Sequence, residues 1–454
     1  MYKLIKVSVA IAAVGLSTVL FMANGNADGT DSINSTDIND INDINDINDS
    51  AVDTQTAVDP KSNAQDFEVA QGNNSNTPTQ NDSLTENTQN TQNTQNTQNT
   101  QNTQNTQNTQ NTQNTDPTVT AQNNSDISPV TNSIGQQPIG NVKTVVSPNK
   151  FLPTIKYTTE NLSTTAKKVN AANWKAAVKI NRSTGTRLQA LLNWQQSGVG
   201  PVDGYWGKNT RKAMQAFQMA RGLTITETLN DETWQALTKS EKLMAQPVLV
   251  NYQLGDADIN IKMTTIPTSS EAKAKLDGMY YESVLEGLAE KFHMSESYLK
   301  SLNPNASFSA GEVITVYNPS TPNTKPVSRV VADRTTQTLY AYDDKDTLIA
   351  SYPTTVGSTA TPSPSGTHKV KVKVYEPNYT YTQDDGSKLI IPPGPNNPVG
   401  SVWIGLSKPT YGIHGSPDPA RISRQASAGC VRLTNWDALA LLGTIQNGAT
   451  VAFQ

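Results

Sequence analysis

Lys369-Val370-Lys371-Val372-Lys373-Val374 alternates a cation with a β-branched apolar residue. At a period of two, the valines share one face of an extended strand and the lysines the other, so one face is buried and one solvated. Strand-like runs flank this stretch. They are Val330-Val331-Ala332-Asp333, then Gln337-Thr338-Leu339-Tyr340-Ala341-Tyr342 ahead of the turn residues Asp343-Asp344, and Val402-Trp403-Ile404-Gly405-Leu406. Many short strands and few helices predict a mostly β domain over 327–454, built as a sandwich or barrel-like sheet. Pro319, Pro322 and Pro326 mark the linker ahead of it.

Upstream the period changes from two to that of a helix. Leu188, Leu191 and Leu192, then Ala213, Met214 and Phe217, then Trp234 and Leu237 carry it. Gly204 and Gly207 give tight turns between the first two helices, and Thr210 is placed to cap the second. With Leu188-Gln189, Asp203-Gly204, Gly207, Thr210, Ala213, Phe217-Gln218, Gly222-Leu223 and Thr233-Trp234, residues 171–240 resemble the peptidoglycan-binding domain of cell-wall hydrolases. The resemblance implies a small three-helix unit whose exposed loop, 203–209, contacts the wall. A second module spans 247–318. Leu285, Leu288, Ala289 and Phe292 share one helix face, followed by Tyr298, Leu299, Leu302, Asn303-Pro304 and the strand-like Gly311-Glu312-Val313-Ile314-Thr315-Val316. This order resembles a LysM-like α+β module, with Gly278-Met279-Tyr280-Tyr281 standing where the first strand and its Gly-Asp turn are usual. Its role is read as glycan binding or as spacing and packing. His293, at the edge of the first helix, is expected to be a solvated surface residue.

The N-terminal part is of another kind. Lys3 and Lys6 precede an apolar stretch, 7–22, and Ala23-Asn24-Gly25-Asn26-Ala27 offers small residues for cleavage after Ala27, so 1–27 reads as a signal peptide. An uncleaved anchor is the alternative. Residues 28–170 read as a disordered tether. Asp-Ile-Asn triplets fill 37–49 and an Asn-Thr-Gln repeat fills 87–115, and such polar periods cannot bury enough apolar surface to offset chain entropy. Aggregation through stacked Asn and Gln is the competing reading of the repeat. The formal net charge of −4 over 454 residues indicates neither a nucleic-acid reader nor a polybasic membrane binder. The expected location is therefore the periplasm or cell wall.

Cys430 is the only cysteine in the chain. It cannot form a disulfide within the chain, and an unpaired cysteine in an exported protein suggests a reactive thiol. It follows Ser427-Ala428-Gly429, and Gly412-Ile413-His414-Gly415-Ser416 lies upstream, with His414 16 positions before the thiol. Gly429 permits a sharp turn with exposed N–H groups. Gly412 and Gly415 let an imidazole that titrates near neutrality come close. The competing reading is an inert buried cysteine.

The sequence Ile413-His414-Gly415-Ser416, followed by Ser427-Ala428-Gly429-Cys430-Val431-Arg432-Leu433, resembles the L,D-transpeptidase catalytic domain of the YkuD type. Ser363-Pro364-Ser365-Gly366-Thr367, Ile391-Pro392-Pro393-Gly394-Pro395-Asn396-Asn397-Pro398 and Gly405 fit the same pattern, which covers 327–454. Ala428 departs from it, since many members carry histidine there.

The resemblance implies acyl transfer on peptidoglycan stem tetrapeptides, with Cys430 as nucleophile, His414 as base and a 3→3 crosslink as product. Gly429 would contribute to the oxyanion site, and Gly415 or Ser416 would orient the imidazole. Arg432, Ser427 and Tyr411 would contact substrate. An internal ion pair is the alternative for Arg432, and core packing for Tyr411. His368 is read as a groove or strand residue. The partners implied are stem peptides and glycan strands, with no nucleic acid and no membrane after signal cleavage. With three histidines, one cysteine and no spaced ligand cluster, no metal or cofactor is expected. An L,D-carboxypeptidase or a wall-protein ligase would use the same acylation step. A non-catalytic wall-binding protein is the different-class alternative.

Overall fold

The computed structural model describes residues 140–357, 361–424, 427 and 429–454. The expected signal peptide, the repeat and most of the expected tether lie outside these residues. All the described residues belong to one compact unit, Ser62–Gln454.

Folded structure starts earlier than the expected boundary at 171. Strands β1 (Lys143–Val145) and β2 (Ile155–Tyr157) pair antiparallel, and helix α1 (Thr164–Asn170) follows. This corrects the assignment of 140–170 to the tether. Ile155, Tyr157, Ala166 and Val169 are buried in the core of the helical modules. Four apolar residues spaced that widely leave no periodic signal, so only tertiary packing reveals them.

Helices α2 (Arg182–Trp194), α3 (Lys208–Arg221) and α4 (Asp231–Thr238) form the three-helix unit, with the short α5 (Glu241–Met244) behind it. Helix α3 is capped by Gly207 rather than Thr210. The Thr210 hydroxyl instead donates to the Tyr205 carbonyl at 3.1 Å, and Gln189 Nε2 donates to it, which closes the loop between the helices.

In the second module β3 (Leu249–Gln253) precedes short helices α6 (Asp256–Ile259) and α7 (Ser270–Lys273). Helices α8 (Val284–Lys291) and α9 (Glu296–Leu302) follow, and β4 (Val313–Tyr317) pairs antiparallel with β3. A strand paired with β4 thus lies upstream of Gly278-Met279-Tyr280-Tyr281, the segment that the sequence set in the place of a first strand. A long excursion through α6 and α7 separates it from α8. His293 is not a solvated surface residue. At φ +55° it leaves α8 and stacks on Trp436, with ring centroids 5.3 Å apart.

The C-terminal region is a mostly β domain. Strands β5 (Val327–Asp333), β6 (Thr338–Tyr342), β7 (Leu348–Pro353) and β8 (Gly366–Tyr375) come first. The hairpin β9 (Tyr379–Thr382) and β10 (Lys388–Ile391) follows, then β11 (Val402–Leu406), β12 (Gly412–His414) and β13 (Val431–Arg432). Helix α10 (Asn435–Thr444) leads into β14 (Ile445–Phe453). The sheet order is β13-β12-β11-β8-β14-β5-β6-β7. The pairs β12–β13 and β14–β5 are parallel, and the others are antiparallel. As the alternation predicted, the β8 lysines are exposed, Val370 is buried, and Val372 and Val374 are partly buried. Apolar residues of α10 pack into one buried cluster with residues of β5–β8 and β11–β14.

Candidate active site

His414 ends β12 and Cys430 immediately precedes β13. In the parallel pairing His414 faces Arg432 and Ile413 faces Val431, so the imidazole lies on the strand next to the one that Cys430 leads into. Both are enclosed, with exposures of 4% for His414 and 6% for Cys430. Cys430 packs with Val399 and Trp403 in a small apolar cluster, against which Val372, Val374 and Tyr379 also rest.

The orientation of the imidazole follows from one bond. His414 Nδ1 lies 2.7 Å from the carbonyl oxygen of Gly415, which can only accept. Nδ1 therefore carries the proton, and Nε2 keeps its lone pair. The ring is backed by the indole of Trp403, with centroids 5.9 Å apart and planes 27° apart. Gly412 makes room for that indole, because a Cβ there would come within 2.7 Å of it. Of the two groups the sequence offered as orienters, Gly415 takes that position. Ser416 instead accepts from the Asp418 N–H at 3.2 Å.

Burial decides the protonation states. It draws the His414 imidazole down to about 3, with the Arg432 guanidinium adding to the effect and the Gly415 bond opposing it. It pushes the Cys430 thiol up to about 11, against a Gly412 N–H and the Arg432 charge, which favour the thiolate. The resting pair is thus a neutral thiol beside a neutral imidazole. The thiol donates weakly to the Thr410 carbonyl, 3.7 Å away.

Gly429 adopts φ +103°, a conformation that favours glycine, and a Cβ there would lie 2.9 Å from the Tyr411 ring. Tyr411 thus packs over the turn that presents Cys430. Ser427 donates its hydroxyl to the Cys430 carbonyl and closes the same turn. Arg432 interacts electrostatically with Cys430, Asp418 and Tyr379, and its Nε has no hydrogen-bond partner among the described residues. His368 lies away from this cluster, opposite Val451 in the sheet and against Phe453. Among the described residues no group of three or more His, Cys, Asp or Glu could hold a metal. Sequence reasoning missed Trp403, Tyr379 and Asn435. Trp403 had a usable signal, since its strand alternates into the same face as His414. Tyr379 and Asn435 reach the site through tertiary packing alone.

The family profile of the YkuD L,D-transpeptidase catalytic domain matches residues 328–452, and that of a peptidoglycan-binding domain matches 185–237. The chain is 31% identical over 171 residues to the L,D-transpeptidase YkuD of Bacillus licheniformis, covering 37% of this chain and 92% of that protein. Among solved structures, an L,D-transpeptidase of Mycobacterium smegmatis aligns with 32% of this chain and 63% of its own, at 17% identity and a TM-score of 0.23. That of Xylanimonas cellulosilytica aligns with 60% of this chain and 92% of its own, at 15% identity and a TM-score of 0.28. The near-complete coverage of the Bacillus relative at that identity, together with the match of the catalytic profile, means that the chain belongs to the YkuD-type L,D-transpeptidase family.

Proposed function

We propose that the protein is an exported, cysteine-dependent L,D-transpeptidase that forms 3→3 crosslinks between peptidoglycan stems. The observation that carries this reading is the His414 imidazole, fixed by Gly415 with Nε2 unprotonated, on the strand next to Cys430. Cys430 Sγ attacks the carbonyl of the L-centre of the third stem residue, and its proton passes to His414 Nε2. The C–N bond to the terminal D-alanine breaks, and the imidazolium returns that proton to the leaving amine. N–H groups of the turn at Gly429 and Cys430 hold the oxyanion. An amine of a second stem then attacks the thioester and gives its proton to His414, and the thiol is regenerated. Arg432, with its unpartnered Nε, suits a substrate carboxylate.

A cleft near the residues that follow His414 supports a path for the wall polymer. Its volume is about 790 Å³, and it is lined by Asp203 and Asn209 of the first module, Ser283 and Ser295 of the second, and Pro417 and Asp418 just past the base. The proposed path of the acceptor strand runs along it, and in this reading both modules contribute to holding peptidoglycan. Location in the periplasm or cell wall follows from the same reading.

The test is incubation with disaccharide-tetrapeptide. Intact mass should show a covalent adduct and free D-alanine should appear, while Cys430→Ala loses both and still sediments with purified sacculi. An intact protein giving neither adduct nor D-alanine sinks the enzymatic reading. Addition of an acceptor stem separates crosslinking from the trimming expected of a carboxypeptidase.

A further inference from the structure

Gln196 of the first module, His293 of the second and Tyr352 of β7 all line a recess of about 70 Å³ that neither Cys430 nor His414 borders. Leu152, Pro153, Pro319 and Pro322 give it apolar walls, and Trp436 and Asp437 of α10 complete the part that matters chemically. At roughly 10–15 Å³ for each water-sized group, the space suits a molecule of about three to five heavy atoms.

One carboxyl sets the chemistry of the recess. Asp437 is 7% exposed, and its Oδ2 has no hydrogen-bond partner among the described residues. A buried carboxylate oxygen without a donor costs free energy, which an occupant bringing a donor or a positive charge offsets. The lining does not bring one. Lys291 is its only cation among the described residues, and Lys291 Nζ already donates to Asp258 Oδ1 at 2.5 Å and to the Tyr252 hydroxyl at 2.8 Å. The His293 ring lies flat on Trp436, with planes 9° apart, and burial draws the imidazole down to about 3, so it adds no charge. Among the described residues no group of three His, Cys, Asp or Glu could hold a metal. One free carboxylate oxygen beside apolar walls fits an organic cation better than a transition-metal ion.

We propose that this recess binds a small primary ammonium compound, with its nitrogen on Asp437 Oδ2 and its carbon chain against the proline walls. An occupant touches the linker, the second module and α10 at once, and so braces the modules against one another. The site is separate from the proposed acyl transfer, and its test needs no wall substrate.

The probe is ethylammonium, which has three heavy atoms, followed by saturation-transfer NMR on the full chain at pH 8. Ethanol and acetate are the neutral and anionic comparisons of similar size. Ethylammonium should bind with a Kd on the order of millimolar, as expected for so few atoms, and the other two should give no signal. Asp437→Asn should weaken binding at least tenfold. A second measurement needs no variant. Burial raises the Asp437 carboxyl to about 7, so it is mostly ionised at pH 8 and mostly protonated at pH 6. Ethylammonium keeps its charge at both, and its affinity for the parent should fall about tenfold at pH 6. The other titratable or charged groups on the elements around Asp437 are Tyr352 on β7, Glu290 and Lys291 on α8, His293 after it and His414 on β12. Glu290, raised to about 8 by burial, would give a trend of the same sign, so loss of the trend in Asp437→Asn assigns it to Asp437. Absence of ethylammonium binding at pH 8, equal binding of ethanol, or unchanged affinity in Asp437→Asn overturns the proposal. If Asp437→Asn does not fold, a parental affinity that is flat between pH 6 and pH 8 overturns it.

Discussion

At Cys430 and His414, enclosure makes the resting pair neutral, and this has a measurable consequence. With the thiol raised to about 11 and the imidazole lowered to about 3, neither group changes charge between those values. Alkylation of the free protein by iodoacetamide should therefore accelerate about tenfold per pH unit from pH 6 to 9 with no plateau, because only the rising thiolate fraction reacts. As the only cysteine, Cys430 can be followed by intact mass. A plateau between pH 5 and 8 would show a pre-formed thiolate–imidazolium pair instead. Gly429→Ala gives a second prediction. A Cβ at φ +103°, 2.9 Å from the Tyr411 ring, should cost about 1–3 kcal/mol and distort the turn that presents the thiol. Denaturant titration and adduct formation should both fall. The two residues stand out in the sequence because glycines lie beside both and the cysteine is alone. The orienter was legible only as a choice between Gly415 and Ser416, since the decision lies in the direction of a backbone carbonyl.

Among the elements, α10 carries a buried carboxyl in its first turn. This is Asp437, with Oδ2 unpartnered among the described residues, and burial raises it to about 7. A carboxyl raised in the folded state contributes most below its unfolded value near 4, and that contribution is lost as pH rises toward 7. Asp437→Asn removes the ionisation. Its stability relative to the parent should therefore improve between pH 5 and pH 7 by on the order of 1 kcal/mol, read from urea midpoints. A pH-independent difference would mean that the carboxyl is not the group titrating. The β9–β10 hairpin gives another expectation. Tyr379 rests on the cluster that contains Cys430, so Tyr379→Ala should expose the thiol and speed its alkylation at fixed pH. The β elements of this domain were readable because alternation survives in single strands such as Lys369–Val374. The second module was read less well. Its paired strands β3 and β4 are joined through a long excursion, so the first strand had no local partner in sequence to identify it.

For the molecule as a whole, the modules are joined by buried polar contacts rather than strung on linkers. Gly198 N–H donates to the Ser351 carbonyl, and Ser351 N–H donates to that of Gln196, so the first module is hydrogen-bonded backbone to backbone onto β7. Part of the loop expected to face the wall is spent on this contact. Asn209 Nδ2 reaches the Ile422 carbonyl, and Lys208 Nζ reaches Gln337 and the Ser423 carbonyl. At the centre Lys212, buried on α3, donates to the Gln337 carbonyl and to Ser423 Oγ. Ser423 is held at φ +67°, and its N–H and hydroxyl are tied to Thr355 and Thr354. The Thr355 backbone in turn exchanges hydrogen bonds with that of Arg432, two residues from the thiol. Lys212→Met keeps the length of the side chain but takes the ammonium donor from the buried Ser423 Oγ and from the Gln337 carbonyl, which keeps the Thr354 N–H, at a cost of about 1–3 kcal/mol. In a unit of this size that corresponds to a melting-temperature decrease of roughly 2–6 °C by calorimetry. Because the strained Ser423 is then released toward β13, Cys430 alkylation should change in the same variant, whereas a substitution at the exposed Tyr205 on the same module should alter neither. A parental melting temperature in Lys212→Met, with unchanged thiol reactivity, would show that the first module rests on the catalytic domain without supporting it.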